Sequence, residues 1–332
     1  ILGNNITVSN STFDNNKAIN NGTEGTGLGG ALDVLGNDCK FINVTSLNNN
    51  ATRGGSTFIR GNNTLIKNCT LDNNYATERG GGLDIAGNNC TVIDVDLSNN
   101  RADGDGGAVY VRGNDASFDD VDSLNNTAAR GGSSFIDGNN TRITNCDLDN
   151  NTATIRGGGL DVAGLNCVVI NVTLSNCNAT QDGGAVYVRG SNVLFDNVTS
   201  VNNTAQRGGS SFIQGNNITV QNCHLDNNTA SIRGGGLDVA GNDCTFVNVT
   251  LSNCNATEDG GAVYVRGNNT VFDNVTSIKN TAQRGGSSFI DGNNITVMNS
   301  HLDNNTASVR GGGLDVAGND CTFENVTLSN CK

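Results

Sequence analysis

The 332-residue chain has no Pro, no Trp, one Met and two His, and only 15% of its residues are charged. A disordered linker of this length would carry Pro, and 35% hydrophobic residues suffice for a core if they are regularly placed. Without Pro, every residue keeps a backbone N–H that a neighbouring strand can receive. Bases are scarce, 19 against 32 acids, for a net charge of −13. That balance excludes a typical nucleic-acid binder, whose affinity comes from Lys and Arg on phosphates, and disfavours anionic lipid. No apolar run approaches the length of a membrane span, so no membrane insertion is expected within this segment. No CxxC-like spacing offers a zinc site, and no metal or cofactor is expected. The chain opens at Ile1 without a leader and reads as an excerpt of a longer repetitive protein.

What is abundant is Gly, 45 in all, and Asn, which is more frequent still; both are periodic. Gly-Gly recurs at Gly29, Gly54, Gly80, Gly106 and onward to Gly311, and the same three spacings return from each third unit to the next, as from Gly29 to Gly106 and from Gly106 to Gly183. Three units thus make one super-repeat. RGGGLDVAG stands identically at 156–164, 233–241 and 310–318. Counted from the first Gly of each unit, the eighth position is always Gly and the tenth always Asn or Asp, residue types that tolerate left-handed backbone and so mark a sharp turn. The sixth is Val or Ile, the thirteenth Phe, Val or Ile, and the twenty-third Ala. Apolar residues alternate over short runs such as Leu237-Asp238-Val239, which predicts strands; no window carries a helical period.

A 25–26-residue unit of about three short strands separated by Gly and Asn turns is one coil of a parallel β-helix. About 13 coils at a strand spacing of ~4.8 Å predict one all-β domain over residues 1–332, roughly 60 Å long, with inner apolar stacks and Asn ladders at the turns. Residues 1–28 read as an irregular first coil, with an insertion around Asn21–Leu28 as its candidate cap, and 29–332 as regular coils.

GGAL at 29–32, GGAV at 106–109, 183–186 and 260–263, Phe13-Asp14-Asn15-Asn16 and the LxxN elements at 71–74, 148–151, 225–228 and 302–305 resemble the repeats of two families. These are the chlamydial polymorphic outer-membrane proteins and the adhesin-like proteins of methanogenic archaea; the Asn-rich texture is closer to the archaeal ones. The resemblance covers essentially the whole chain, although Leu for Phe and the strict super-repeat depart from the family pattern. It implies a right-handed β-helix displayed outside the cell, on its surface.

Eleven Cys occupy three columns, two of them shared with Val, Ala, Thr or Ile, which predicts buried free thiols. Same-coil disulfides such as Cys167–Cys177 or Cys244–Cys254 are the alternative. Among many N-x-[ST] matches, Asn178 and Asn255 are the candidate glycosylation sites, placed in an exposed turn. The residue before each Gly-Gly forms a charge ladder in which Asp105, Asp182 and Asp259 each have an Arg one coil away on both sides. The fifth position carries Tyr110, Phe135, Tyr187, Phe212, Tyr264 and Phe289; since positions four and six look inward, these rings are expected outside, as a stripe for glycan binding or lateral contact. Asp84, Asp161, Asp238 and Asp315 share that column. Recurring every third coil, about 14 Å apart, they make no carboxylate pair of the kind glycoside hydrolysis needs. His224 and His301 are repeat equivalents, and no column shows the single break in symmetry expected of a catalytic site. The sequence therefore predicts a non-catalytic stalk or adhesin whose partners are itself or cell-surface glycans and proteins. A self-assembling filament or sheath subunit is the alternative, and a polysaccharide lyase or hydrolase the weaker one.

Overall fold

The computed structural model describes residues 1–20, 22 and 26–332. Backbone contacts divide it into two compact units, Ile1–Val168 and Val169–Lys332. Each unit is a parallel β-solenoid, and the described residues contain no helix. A turn passes through three faces. The first is a strand bent in the middle, such as Ser117–Leu124, or two short strands such as Thr245–Val247 and Thr250–Ser252. The second is exemplified by Thr127–Arg130 and the third by Val109–Val111. Among the described residues, second-face strands number five in the first unit and six in the second, so eleven complete turns replace the expected thirteen. The difference lies at Thr7–Asp14, Thr322–Glu324 and Thr327–Ser329, first-face strands with no second-face strand of their own turn among the described residues. Most of the Asn21–Leu28 insertion falls outside the described residues.

Register is one-to-one between equivalent columns: Phe41 lies on Ile66, Ile66 on Val92, Val92 on Phe118. The interior is filled by columns six and thirteen, with Ile59, Ile85 and Val92 fully buried, and by small Ala76, Ala102 and Ala128 where the second face comes close. Bends are made by left-handed residues in three columns, five apart, such as Asp38, Asn43 and Asn48, with φ of 59°, 54° and 54°. Asn and Asp are penalised less in this conformation than other side-chain-bearing residues, which explains the Asn excess. The eighth-position Gly plays another part than expected. Gly61 is not left-handed; a Cβ there would sit 1.9 Å from the Gly36 carbonyl oxygen of the preceding turn. Stacking distance, not φ, demands Gly.

Candidate functional site

The most ordered polar feature of the interior is a ladder of Asn in column twenty-one. Asn49, Asn74, Asn100, Asn126 and Asn151 are buried. From Asn74 onward, each one's Oδ1 accepts from the backbone N–H of the Asn one turn before, at 2.8–3.0 Å. The amide nitrogens are also satisfied: Asn100 Nδ2 donates to the Leu71 carbonyl at 2.8 Å and Asn126 Nδ2 to Ser123 Oγ at 2.9 Å. Buried polar groups cost little only when paired, so this ladder locks the register of successive turns. In the second unit the same column holds Cys177, Asn203, Asn228, Cys254, Asn280, Asn305 and Cys331.

The eleven Cys are free; nine are buried, and Cys321 and Cys331 half-buried, so the Cys244–Cys254 bridge does not form and neither does Cys167–Cys177. Burial pushes the thiol of Cys146 up to about 12, Cys223 and Cys244 to about 11 and Cys254 to about 12.

On the third face, column five reads Asp33, Phe58, Asp84, Tyr110, Phe135, Asp161 in the first unit. In the second it reads Tyr187, Phe212, Asp238, Tyr264, Phe289, Asp315. The expected exposure of this stripe is overturned. Tyr110, Phe135, Tyr187, Phe212, Tyr264 and Phe289 are only 2–6% exposed. The alternation is as expected, away from the apolar interior, but long Arg side chains lie over the column. Tyr110 and Phe135 stack at 5.3 Å and Tyr264 and Phe289 at 5.5 Å. Arg79 covers Tyr110, Arg130 Phe135 and Arg233 Tyr264, at 4.6, 4.9 and 4.6 Å from the ring centres. The rings are packed rather than presented.

Asp84, Asp161 and Asp238 are buried beneath the same guanidinium layer, while Asp33 and Asp315 are only half-buried. Asp84 Oδ2 accepts from Arg79 Nε at 3.0 Å, while Oδ1 faces Arg112 Nε at 3.7 Å without a hydrogen bond. Asp238 repeats this between Arg233 at 2.9 Å and Arg266 at 3.5 Å. Loss of water raises the Asp84 carboxyl to about 6 against the opposing pull of the two Arg, and raises Asp238 likewise. The charge ladder is correspondingly one-sided. Asp105 takes both hydrogen bonds of Arg130, at 2.6 Å each, and Asp182 those of Arg207, at 2.6 and 2.7 Å. The Arg of the preceding turn, expected to share the ladder Asp, turns to its own turn's column five instead. Arg79 does so beside Asp105, and Arg233 beside Asp259.

Asn178 and Asn255 are exposed, but they stand on second-face strands and not in a turn. Thr204 Oγ1 and Thr281 Oγ1 donate to their side-chain oxygens at 3.0 and 2.7 Å, which leaves the amide nitrogens unengaged among the described residues. No group of three His, Cys, Asp or Glu able to hold a metal occurs among the described residues.

One column does break symmetry, and sequence reading missed it. From Asn50 to Thr306, position twenty-two is Asn or Thr except in two adjacent turns, where it is Tyr75 and Arg101. Arg101 lies over the Tyr75 ring, 5.6 Å from its centre, and donates to Asp103 at 2.8 Å. The Tyr75 hydroxyl donates to the other Asp103 oxygen at 2.5 Å. Aligning column twenty-two alone would have exposed it.

Several known proteins resemble this chain, among them the following. The Chlamydia polymorphic membrane protein repeat matches residues 94–112. A double mutant of the tailspike protein of E. coli bacteriophage HK620 is similar over 98% of this chain and 69% of its own, at 14% identity and a TM-score of 0.46. A family 28 exopolygalacturonase of Yersinia enterocolitica is similar over 98% and 71%, at 9% identity and a TM-score of 0.32. No curated protein matches.

Proposed function

We propose that this chain is a non-catalytic structural segment of an extracellular cell-surface protein, serving as a stalk or adhesin repeat. The observation that carries the reading is the buried Asn ladder, Asn49 to Asn151 in one unit, which commits each turn's interior amides to the next turn. Such a core gives stiffness within a unit and leaves its outer face free to vary. The match of residues 94–112 to a polymorphic membrane protein repeat supports surface display, and the Asn-rich texture supports an archaeal adhesin-like source. Column five, covered by Arg, is assigned to packing. Asn178 and Asn255, exposed and with unengaged amide nitrogens, are the assigned glycan acceptors.

Antibody labelling and protease shaving of intact source cells test the display. Label on intact cells, lost on shaving, is the expected result; label only after lysis would overturn it. Reducing sugar released from a polysaccharide panel would overturn the non-catalytic part. Long polymers in negative stain would favour a filament subunit over a stalk.

A further inference from the structure

Tyr75, Arg101 and Thr127 line an open groove on the second face together with Asn73, Asn99 and Asn125. The groove differs chemically from every other stretch of this face. An aromatic ring carries a guanidinium plane on it, and both are held by one carboxylate, Asp103. Asn99 Nδ2 donates to Asp72 Oδ1 at 2.6 Å rather than to its column neighbour Asn73. Asn73 Nδ2 donates to Asn48 Oδ1 at 2.7 Å, and Asn73 Oδ1 accepts no hydrogen bond among the described residues. A half-exposed ring, spare guanidinium N–H groups and an unused amide oxygen thus converge on one depression.

We propose that this groove binds a neutral pyranose unit of a glycan. A pyranose ring offers an apolar C–H face and a rim of hydroxyls. The exposed part of the Tyr75–Arg101 platform suits the first. Asn73 Oδ1 as acceptor and the remaining Arg101 N–H groups as donors suit the second. Charge selects against acidic sugars: Arg101 and Asp103 neutralise each other, and the chain as a whole carries −13. The assignment deepens the surface-repeat reading and rests on it for access to such glycans.

The repeat supplies its own control. One super-repeat further on, the three positions hold Thr152, Asn178 and Thr180. The variant Y75T/R101N/D103T therefore copies residues already accommodated at those places. Wild type and variant are titrated with neutral gluco-, manno- and galacto-oligosaccharides, and with an oligogalacturonide, by calorimetry and saturation-transfer NMR. The expected result is binding of a neutral oligosaccharide by the wild type, weakened about tenfold or more in the variant with its circular dichroism melt unchanged. If the triple variant is unstable, Tyr75→Phe retaining affinity while Tyr75→Thr loses it supports the same conclusion. Equal affinity in the variants, no binding of any neutral sugar, or preference for the uronide would overturn the proposal. Surface labelling fails or succeeds independently of this titration, so loss of the display reading is distinguishable from loss of the groove.

Discussion

Arg79 reaches the Asp84 carboxylate five residues ahead at 3.0 Å, and not Asp105, which its own backbone bridges one turn on. That choice buries Asp84 between the Phe58 and Tyr110 positions and frees Asp105 to receive both hydrogen bonds of Arg130. Neighbouring acids of adjacent faces thus differ: Asp84, on the third, is dehydrated and raised, and Asp105, level with the end of the second, is held in a bidentate pair.

The raised Asp84 makes stability depend on pH in a defined direction. Its folded carboxyl titrates near 6, above the unfolded value of about 3.9, so the folded state binds more protons between those values. Stability from this group is fully present below about pH 4 and lost as pH rises through 6, a total of about 2–3 kcal/mol. Two other acids act in the opposite sense. Asp226 is lowered because, against its loss of water, hydrogen bonds from Ser252 and Asn253 prevail; Asp303 is lowered by hydrogen bonds from Ser329 and Asn330. In urea unfolding from about pH 4 to 8, wild type should lose stability relative to Asp84→Asn as pH rises, and the difference should level off above the folded titration near 6. A difference that stays flat throughout would contradict the assignment.

Lys279 stands in a left-handed corner, φ 56°, where its repeat equivalent is Asn202. Lys279→Asn should raise stability by about 0.5–1 kcal/mol by easing the backbone penalty. A urea midpoint that stays put or falls would refute this.

Cys254 interrupts the interior ladder at the position that Asn100 fills two super-repeats earlier. Its N–H still donates to Asn280 Oδ1 at 2.8 Å, but its sulfur meets the Leu225 carbonyl only at 3.7 Å. Cys254→Asn should restore a donor like that of Asn100 to Leu71 and stabilise by about 1–2 kcal/mol. The converse, Asn100→Leu, orphans the Asn74 N–H and should cost about 1–3 kcal/mol. Both are read from urea midpoints; a Cys254→Asn chain no more stable than wild type would show that the ladder is not limited by that donor.

Thiol chemistry should follow burial. At about pH 8, iodoacetamide should modify Cys321 and Cys331 in the folded chain, and Cys146, Cys223, Cys244 and Cys254 only after denaturation. Peptide mass mapping reads the pattern directly; rapid native labelling of Cys254 would be inconsistent with it.

The solenoid was legible because a parallel stack imposes its period on every column, and Gly-Gly, the eighth Gly and the twenty-third Ala announce it. The left-handed corners were legible only in part. The tenth column was read correctly, while the fifteenth and twentieth, equally rich in Asn, were missed because Asn also fills the interior column twenty-one. Composition does not distinguish an Asn that bends the chain from one that pairs inside it; only the neighbouring backbone does.

The sequence by itself determined which residues lie on one another: Tyr110 on Phe135, Asn74 on Asn100, Arg79 beside Asp105. Tertiary structure decided what covers them. Alternation along a strand states only that column five leaves the core, and whether it meets water depends on where Arg side chains from the flanking turns come to rest. They lie over the rings and acids, so the predicted outer stripe is sealed. An aromatic ring that does reach water is Tyr75, in a column that periodicity alone would have filled with Thr.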